Sequence, residues 1–294
     1  MPGFEGFELS SVDVGEVTLR VRVGGAGPPL LLLHGYPETH EMWRPVAADL
    51  ARDHTVVAPD LRGYGGSSQP APLPGHEAMG KRAMAADNVA LMRSLGFGAF
   101  DVAGHDRGAR VGYRMALDTP DAVRRLTVMD VVPTGEVWAR ADARFVLGYW
   151  HWAFLAQPEP LPERLIGADP EFFFLDGQFG GLLRGVAPEA LADYRRALAD
   201  PAVVHAMCED YRAGATCDRR LDDEDRAAGR TLSCPVQVLW GARGALPAWY
   251  DPLEVWRPWA GDVTGGPVDS GHFLVEEQPG PTLAALRAFH TAGR

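Results

Sequence analysis

The sequence has few cysteines and no long apolar segment. Cys208, Cys217 and Cys234 are its three cysteines, and an odd number without paired spacing argues against a disulfide framework. The opening stretch MPGFEGFELSSVDVGE has neither a basic region nor an apolar one, so it does not predict a signal peptide. No apolar run reaches the length of a transmembrane helix. We therefore expect reduced thiols, no membrane partner and a cytoplasmic location.

Positive charge is also scarce. Lys and Arg together number 28 against 39 Asp and Glu, which gives a formal net charge of −11. Without a basic tract, this balance argues against a nucleic-acid partner. An anionic substrate would have to be attracted by local positive charge, against the field of the whole molecule.

Short apolar segments alternate with helical patterns along most of the chain. The alternation in EVTLRVRV predicts a β-hairpin, with Gly15 at its turn. Continuous apolar runs predict strands that are buried on both faces. The pattern as a whole predicts an α/β fold with a mostly parallel, doubly wound sheet. The predicted hairpin strands are 7–14 and 16–23, the buried strands 28–35, 55–60, 100–106, 124–130 and 235–241, and the helices 43–51, 79–95 and 109–118.

The stretch 134–232 interrupts this alternation. It contains no good core strand and several aromatic-rich helical segments, at 143–155, 189–200 and 202–214. We interpret it as a helical cap inserted into the sheet domain, over the edge where ligands bind in such sheets. The core would then comprise residues 1–133 and 233–294. Within the cap, the charged run at 221–230 is interpreted as a solvated return linker.

The segment Gly104-His105-Asp106-Arg107-Gly108 follows a predicted strand and opens a helical pattern. This is the context of a nucleophile elbow, a sharp strand–turn–helix motif that usually has serine at its centre. The turn requires small residues two positions to either side of the nucleophile, and both are glycine here. Asp106 is therefore predicted to present a carboxylate nucleophile. The alternative is an ordinary helix N-cap.

The residues expected to assist such a nucleophile follow other predicted strands. The backbone N–H groups of Tyr36, in His-Gly-Tyr-Pro, and of Arg107 are predicted to form an oxyanion hole. His272 comes late in the chain, where this motif order requires a base, and His290 is its competitor in a helical pattern. Asp130, at the end of a strand, is favoured as the acid.

Asp251 and Asp269 are the alternative acids. Whichever acid is present, an aspartate nucleophile is suited to attack an sp³ carbon that bears a leaving group, which produces an enzyme ester. Water activated by the histidine then hydrolyses that ester. The chemistry favours cleavage of carbon–halogen bonds or epoxides, and it requires neither a metal nor an organic cofactor.

Two residue groups distinguish between these substrates. Arg107 and Arg110 lie three residues apart on one helix face beside the nucleophile, and guanidinium groups bind carboxylates bidentately. Surface ion pairs are the alternative, with almost equal weight for Arg110. In the cap, His151, Trp152 and Tyr211 carry N–H and O–H donors for a departing halide. The alternative for these three is aromatic packing.

Strings along nearly the whole chain resemble the haloacetate dehalogenases of the α/β-hydrolase fold, among them HGYPETHEMW, GHDRGAR, YWHW, DYRAG and GGPVDSGHF. The resemblance implies Asp106 as nucleophile, Asp130 as acid and His272 as base. It also implies carboxylate binding by Arg107 and Arg110 and halide binding by the three cap residues. A small anionic haloacid as substrate and a homodimer are expected on the same ground.

The chain departs from this family at two places. Gly181 stands where the family often has a tryptophan that walls the pocket, which suggests room for a bulkier 2-haloacid. The loop 242–251, ARGALPAWYD, also differs, and we expect it to lie away from the chemistry. Two other functions stay open at this point. One is an epoxide hydrolase with the same nucleophile, and the other is a non-catalytic receptor for a small acid.

Overall fold

A computed structural model describes residues 3–291 and contains one eight-stranded sheet. The strand order is β1-β2-β4-β3-β5-β6-β7-β8, with β2 antiparallel to both β1 and β4 and every other neighbouring pair parallel. The sheet confirms the predicted α/β fold class. The strands are β1 Glu8–Asp13, β2 Thr18–Gly24, β3 Pro29–Leu33, β4 Thr55–Pro59, β5 Phe100–His105, β6 Val123–Met129, β7 Val236–Gly241 and β8 Val263–Val268.

The central strands are buried on both faces. Leu30–Leu33 of β3 and every residue of β5 are excluded from solvent, which explains why these strands are continuous apolar runs rather than alternating ones. Helices flank the sheet: α3 (Asp106–Asp118) packs on β5 and β6, and α12 (Pro252–Trp256) packs on β7.

The strand order reverses direction at β3. From β3 the chain moves to β4 on one side, and then crosses to β5 on the other side. Ligands bind in open α/β sheets at such a point, outside the carboxyl ends of the strands, because the loops there diverge and leave a crevice. Residues 34–36 and Asp106 follow β3 and β5 directly.

The helices form two groups, those outside the insertion and those inserted between β6 and β7. Those outside the insertion are α1 Arg44–Leu50, α2 Lys81–Ser94, α3 Asp106–Asp118, α11 Leu246–Trp249, α12 Pro252–Trp256, α13 Leu274–Glu277 and α14 Pro279–Thr291. Between β6 and β7 lie α4 Thr134–Arg140, α5 Ala143–Gly148, α6 Trp150–Leu155, α7 Leu161–Ala168, α8 Pro188–Leu198, α9 Pro201–Ala215 and α10 Cys217–Ala227, and a π-helical turn, Phe172–Gly177. Among residues 3–291, no helix combines the length and the apolar character that crossing a membrane requires.

Two segments differ from the sequence prediction. The strand β8 was missed because Gly265, Gly266 and Pro267 interrupt its pattern, and such residues are tolerated at the edge of a sheet. The charged run at 221–230 is not a solvated linker, since most of it belongs to α10. Asp222 and Asp225 are buried there because Tyr113 and Arg114, from α3, reach them.

Candidate active site

The turn between β5 and α3 holds Asp106 in a strained conformation. Its φ is +43°, in the left-handed region that few non-glycine residues adopt. A Cβ at Gly104 would lie 2.6 Å from the amide nitrogen of Ala109, and one at Gly108 would lie 2.4 Å from the carbonyl oxygen of Leu33. Glycine is therefore required at both positions, and the tight turn presents the Asp106 carboxylate to the cavity.

The Asp106 carboxylate is fixed by the loop after β3. The amide of Tyr36 donates to Asp106 Oδ2 at 3.1 Å. This leaves Oδ1 as the oxygen available for attack. The Arg107 amide, the other group predicted for an oxyanion hole, lies in the first turn of α3. Burial by itself would raise the pKa of Asp106, but the nearby His272 and Arg110 outweigh it and hold the pKa below the usual range.

His272 follows β8 and is paired with Asp130. Its Nδ1 lies 2.6 Å from Asp130 Oδ2, and the amide of Gly241 donates to Asp130 Oδ1 at 3.0 Å. Asp130 follows β6 with a φ of +54°. The other candidates lie elsewhere. Asp251 caps α12, Asp269 is exposed beside Arg243, and His290 contacts Thr127 and Asp101.

A buried histidine supports the loop that carries His272. His105 Nε2 lies 2.8 Å from the carbonyl oxygen of His272, so this nitrogen must be the donor. His105 Nδ1 lies 2.9 Å from Glu38 Oε2. Burial by itself would lower the pKa of His105, but the charge of Glu38 overcomes it and raises the pKa to about 9. His105 is therefore a cation at neutral pH and ties the base loop to the nucleophile turn.

Arg107 is fully buried and held by Asp210 of α9. Its Nε donates to Asp210 Oδ2 at 2.9 Å, and its Nη2 donates to Oδ1 at 2.5 Å and to the Asp210 carbonyl oxygen at 2.7 Å. Nη1 is buried without a partner among the described residues. The prediction of a bidentate Arg107 fork free for substrate is therefore wrong in that detail, because Asp210 occupies two of its three nitrogens.

Arg110 is not on the surface, so the alternative of a surface ion pair is wrong. It is buried, and its Nη1 donates to the Val132 carbonyl at 2.9 Å and to Thr134 Oγ1 at 3.1 Å. Its Nε, like Nη1 of Arg107, is buried without a partner in the described part of the chain. Each of the two guanidinium groups thus retains one buried nitrogen without an acceptor, and a carboxylate could accept from both.

The three cap residues predicted to bind halide lie together above Asp106. The ring of Tyr211 lies 5.8 Å from that of His151 and 6.0 Å from that of Trp152, between centroids. Burial lowers the pKa of His151 to about 3 and raises that of Tyr211 well above its usual value, so both are neutral donors at neutral pH. Arg107 and Arg110 pack against Tyr211 and Trp152 from the other side.

A cavity of about 240 Å³ lies between Asp106, His272 and the three cap residues. Neither Arg107 nor Arg110 lines it. The lining includes Arg243, which contradicts the expectation that the loop 242–251 lies away from the chemistry, because this loop follows β7 at the carboxyl edge of the sheet. Gly181 is not part of the lining either. The lining residues are Tyr36, Asp106, Gly148, Tyr149, His151, Trp152, Gln178, Phe179, Leu182, Tyr211, Arg243, Gly244, Ala245, Gly271 and His272.

Sequence reasoning missed several residues that organise this site. His105 and Asp210 stand inside strings that carry the family resemblance, GHDRGAR and DYRAG, but neither was assigned a role. Glu38 stands four residues after His34 in a similar string. Gln178, whose Oε1 accepts from the Tyr36 hydroxyl at 2.8 Å, gave no signal, because its partner is distant along the chain.

The alpha/beta hydrolase fold family matches residues 28–279. The chain is 47% identical to fluoroacetate dehalogenase from a Burkholderia species, over 99% of this chain and 96% of that protein. It is 33% identical to soluble epoxide hydrolase from Corynebacterium sp. (strain C12), over 87% of each. Among solved structures, the Nostoc sp PCC 7120 protein ALR0039, provisionally an alpha/beta hydrolase, has a TM-score of 0.95 and 48% identity and covers 98% of this chain and 99% of its own. The chain thus belongs to the haloacetate dehalogenase family of the α/β-hydrolase fold.

Proposed function

We propose that the protein hydrolyses short 2-haloacids to 2-hydroxyacids and halide through an aspartyl ester. The 47% identity to a fluoroacetate dehalogenase over nearly the whole chain supports dehalogenation. The observation that carries the choice of an acid substrate is the pair of unpaired, buried N–H groups on Arg107 and Arg110. Unpaired buried cationic donors are costly unless a ligand satisfies them.

In the first step, Asp106 Oδ1 attacks the carbon next to the substrate carboxylate and the carbon–halogen bond breaks. The halide leaves with its electron pair towards His151, Trp152 and Tyr211, whose neutral donors solvate the growing charge. The attack occurs opposite the leaving group, so the configuration at that carbon inverts. This step produces an ester between Asp106 and the substrate.

In the second step, His272 takes a proton from water, and the water oxygen attacks the carbonyl carbon of the ester. The carbonyl oxygen of the ester, which is Oδ2, becomes the oxyanion. It lies next to the Tyr36 amide, which already donates to Oδ2. Collapse breaks the bond between the carbonyl carbon and Oδ1, which leaves as the hydroxyl oxygen of the 2-hydroxyacid with the proton from His272. Asp106 is regenerated with the water oxygen in its carboxylate. Asp130 orients His272 and stabilises its protonated form.

Substrate size is part of the proposal. A cavity of about 240 Å³ corresponds to the liquid volume of about eight water molecules, more than a two-carbon haloacid fills. Leu182 and Phe179, on either side of the Gly181 region, line it. We therefore expect 2-halopropionates to be accepted as well as haloacetates.

Halide release tests the function directly. Wild type is given fluoroacetate, chloroacetate and 2-bromopropionate, and released halide and acid are measured. Asp106→Asn should lose release by about a thousandfold or more. The matched control Asp251→Asn removes a carboxylate that only caps α12 and should stay within about twofold. Asp106→Asn with full turnover would exclude an aspartyl ester.

An epoxide hydrolase is the second candidate. A relative at 33% identity carries that name, and two cap tyrosines, Tyr149 and Tyr211, both line the cavity and are neutral at neutral pH. Such a pair can donate to an opening epoxide oxygen. Epoxide turnover without halide release, unaffected by Arg110→Gln, would favour this function. A non-catalytic receptor would bind the acid and release neither product.

A homodimer is also proposed, from the family resemblance. Large apolar side chains on the cap, Leu147, Leu165 and Phe172, are more than half exposed, and exposed apolar surface of this kind marks association sites. Light scattering of wild type and of Leu147→Ser/Phe172→Ser tests this. A dimeric wild type that dissociates on substitution supports a cap interface, whereas a monomeric wild type contradicts it.

A further inference from the structure

Arg243 occupies the border between the cavity and the solvent. It follows β7 by two residues, and its amide donates to the Ser270 carbonyl at 2.9 Å, which fixes the backbone. Arg243 lines the cavity together with Asp106 and His272. Its side chain is 55% exposed. Arg243 therefore lies where the solution meets the cavity of Asp106 and His272.

The charges around the cavity give this position its importance. Among the described residues that line the cavity, Arg243 is the one with a permanent positive charge. Asp106 contributes a negative charge, and His151 is neutral because burial lowers its pKa to about 3. The molecule as a whole carries −11. At the solvent border of the cavity, Arg243 therefore supplies local positive charge against the negative field of the whole molecule.

We propose that Arg243 is a specificity-determining residue that attracts the carboxylate of an anionic substrate into the cavity, before the carboxylate passes to Arg107 and Arg110. This rests on the proposed function, because a neutral substrate would gain nothing from it. The residue lies in the loop 242–251, where the sequence departs from the family resemblance.

Two carboxylates compete for the same guanidinium. Arg243 Nη1 pairs with Asp269, whose side chain is 82% exposed, and Nη2 lies 3.9 Å from Glu277. Exposed ion pairs are weak, so a substrate carboxylate can displace Asp269. Glu277 is occupied otherwise, since it accepts from the amides of Gly271 and Phe273 at 2.7 and 3.1 Å. Asp269 is therefore the competitor that can be removed without disturbing the base loop.

The experiment measures kcat and KM for chloroacetate at ionic strengths from about 0.02 M to about 0.5 M, where screening goes from weak to nearly complete. Arg243→Gln should raise KM about fivefold at the low value and leave kcat within about twofold. The difference should vanish at the high value. Asp269→Asn should lower KM about twofold at low ionic strength, because the guanidinium loses its competitor.

Arg82→Gln is the matched control. Arg82 is 51% exposed, pairs with a carboxylate, Asp118, and loses the same charge on substitution. Asp118 ends α3, twelve residues from Asp106, or about 18 Å along the helix. The KM of Arg82→Gln should equal that of wild type. Arg243→Lys keeps the charge and should recover most of the lost affinity, which separates charge from geometry.

The possible outcomes separate the capture role of Arg243 from the proposed function. A KM increase in Arg243→Gln that salt abolishes, absent in Arg82→Gln, supports the capture role. An unchanged KM, a fall in kcat, or an Arg243→Lys variant as weak as Arg243→Gln overturns it while the proposed function stands. No halide release by wild type from any haloacid overturns the proposed function, and this inference with it.

Discussion

The buried ion pair between Arg107 and Asp210 gives the most demanding prediction, through the change Asp210→Asn. Asp210 is fully buried in α9 and contacts Arg107, Lys81 and the hydroxyl of Tyr64, the last at 2.7 Å. Burial alone would raise the pKa of Asp210, but the two cations hold it far below its usual range. The carboxylate is therefore ionised at every pH at which the enzyme would be assayed.

The substitution removes the negative charge and keeps the shape. Arg107 and Lys81 are both almost inaccessible to solvent, so water cannot solvate the two cations once the carboxylate is removed. Breaking a buried ion pair by removing one partner costs about 3–5 kcal/mol, because the remaining charge is left uncompensated. We expect the free energy of unfolding to fall by that amount, and Tm by roughly 5–8 °C.

The same change should reduce activity. The direction of the unpaired Nη1 of Arg107 is fixed by the two other nitrogens, which Asp210 holds. Without that anchor, kcat/KM for haloacids should fall about 10- to 100-fold, since small displacements of a positioning group have effects of this size. Urea unfolding at pH 7.5 and halide release measure the two effects separately.

Asp222→Asn is the matched control for this prediction. Asp222 is also a buried cap aspartate, but it accepts from neutral groups, the Tyr113 hydroxyl and the Gly135 amide, both at 2.8 Å. An asparagine oxygen can accept from both and no buried cation loses its partner, so the free energy of unfolding should not fall by more than about 1 kcal/mol. An Asp210→Asn variant as stable and as active as Asp222→Asn would refute the reasoning.

Three further predictions concern the second chemical step and the pH dependence of stability. His272→Asn should accumulate the ester on Asp106, visible by mass spectrometry after chloroacetate and absent without substrate; an enzyme free of ester would contradict the assigned base. His105→Gln weakens the bond to the His272 carbonyl, so kcat should fall about tenfold with a burst of halide, whereas equal slowing of both steps would count against a positioning role. Burial raises the folded pKa of Asp222 to about 6, above the unfolded value. The stabilisation that protonated Asp222 gives to the folded state is therefore complete below about pH 4, and it is lost as pH rises through 6. Wild type should exceed Asp222→Asn in stability by about 2–3 kcal/mol more at pH 4 than at pH 7, and a constant difference would contradict this.

Local patterns in the sequence were sufficient for much of the fold. The buried strands β3 and β5 are continuous apolar runs, because both faces of the sheet are covered. The turn at Asp106 was predictable because only glycine fits at Gly104 and Gly108, where a Cβ would collide with backbone atoms. The family was predictable for the same reason, since strings around such turns must keep their residues.

Partners that are distant along the chain were not predictable. Asp210 lies 103 residues from Arg107, and no local pattern indicates that it takes two nitrogens of that guanidinium. The charges at 221–230 pointed to solvent, yet Asp222 and Asp225 are buried because α3 supplies their partners. Arg243 gave no signal for the cavity, because only the pairing of β7 and β8 brings its loop beside the loop of His272. The sequence by itself determined which chemical groups are present and on which turns they lie. Tertiary structure decided their charge, their free hydrogen-bonding groups and the shape of the cavity, because these depend on burial and on contacts between distant segments.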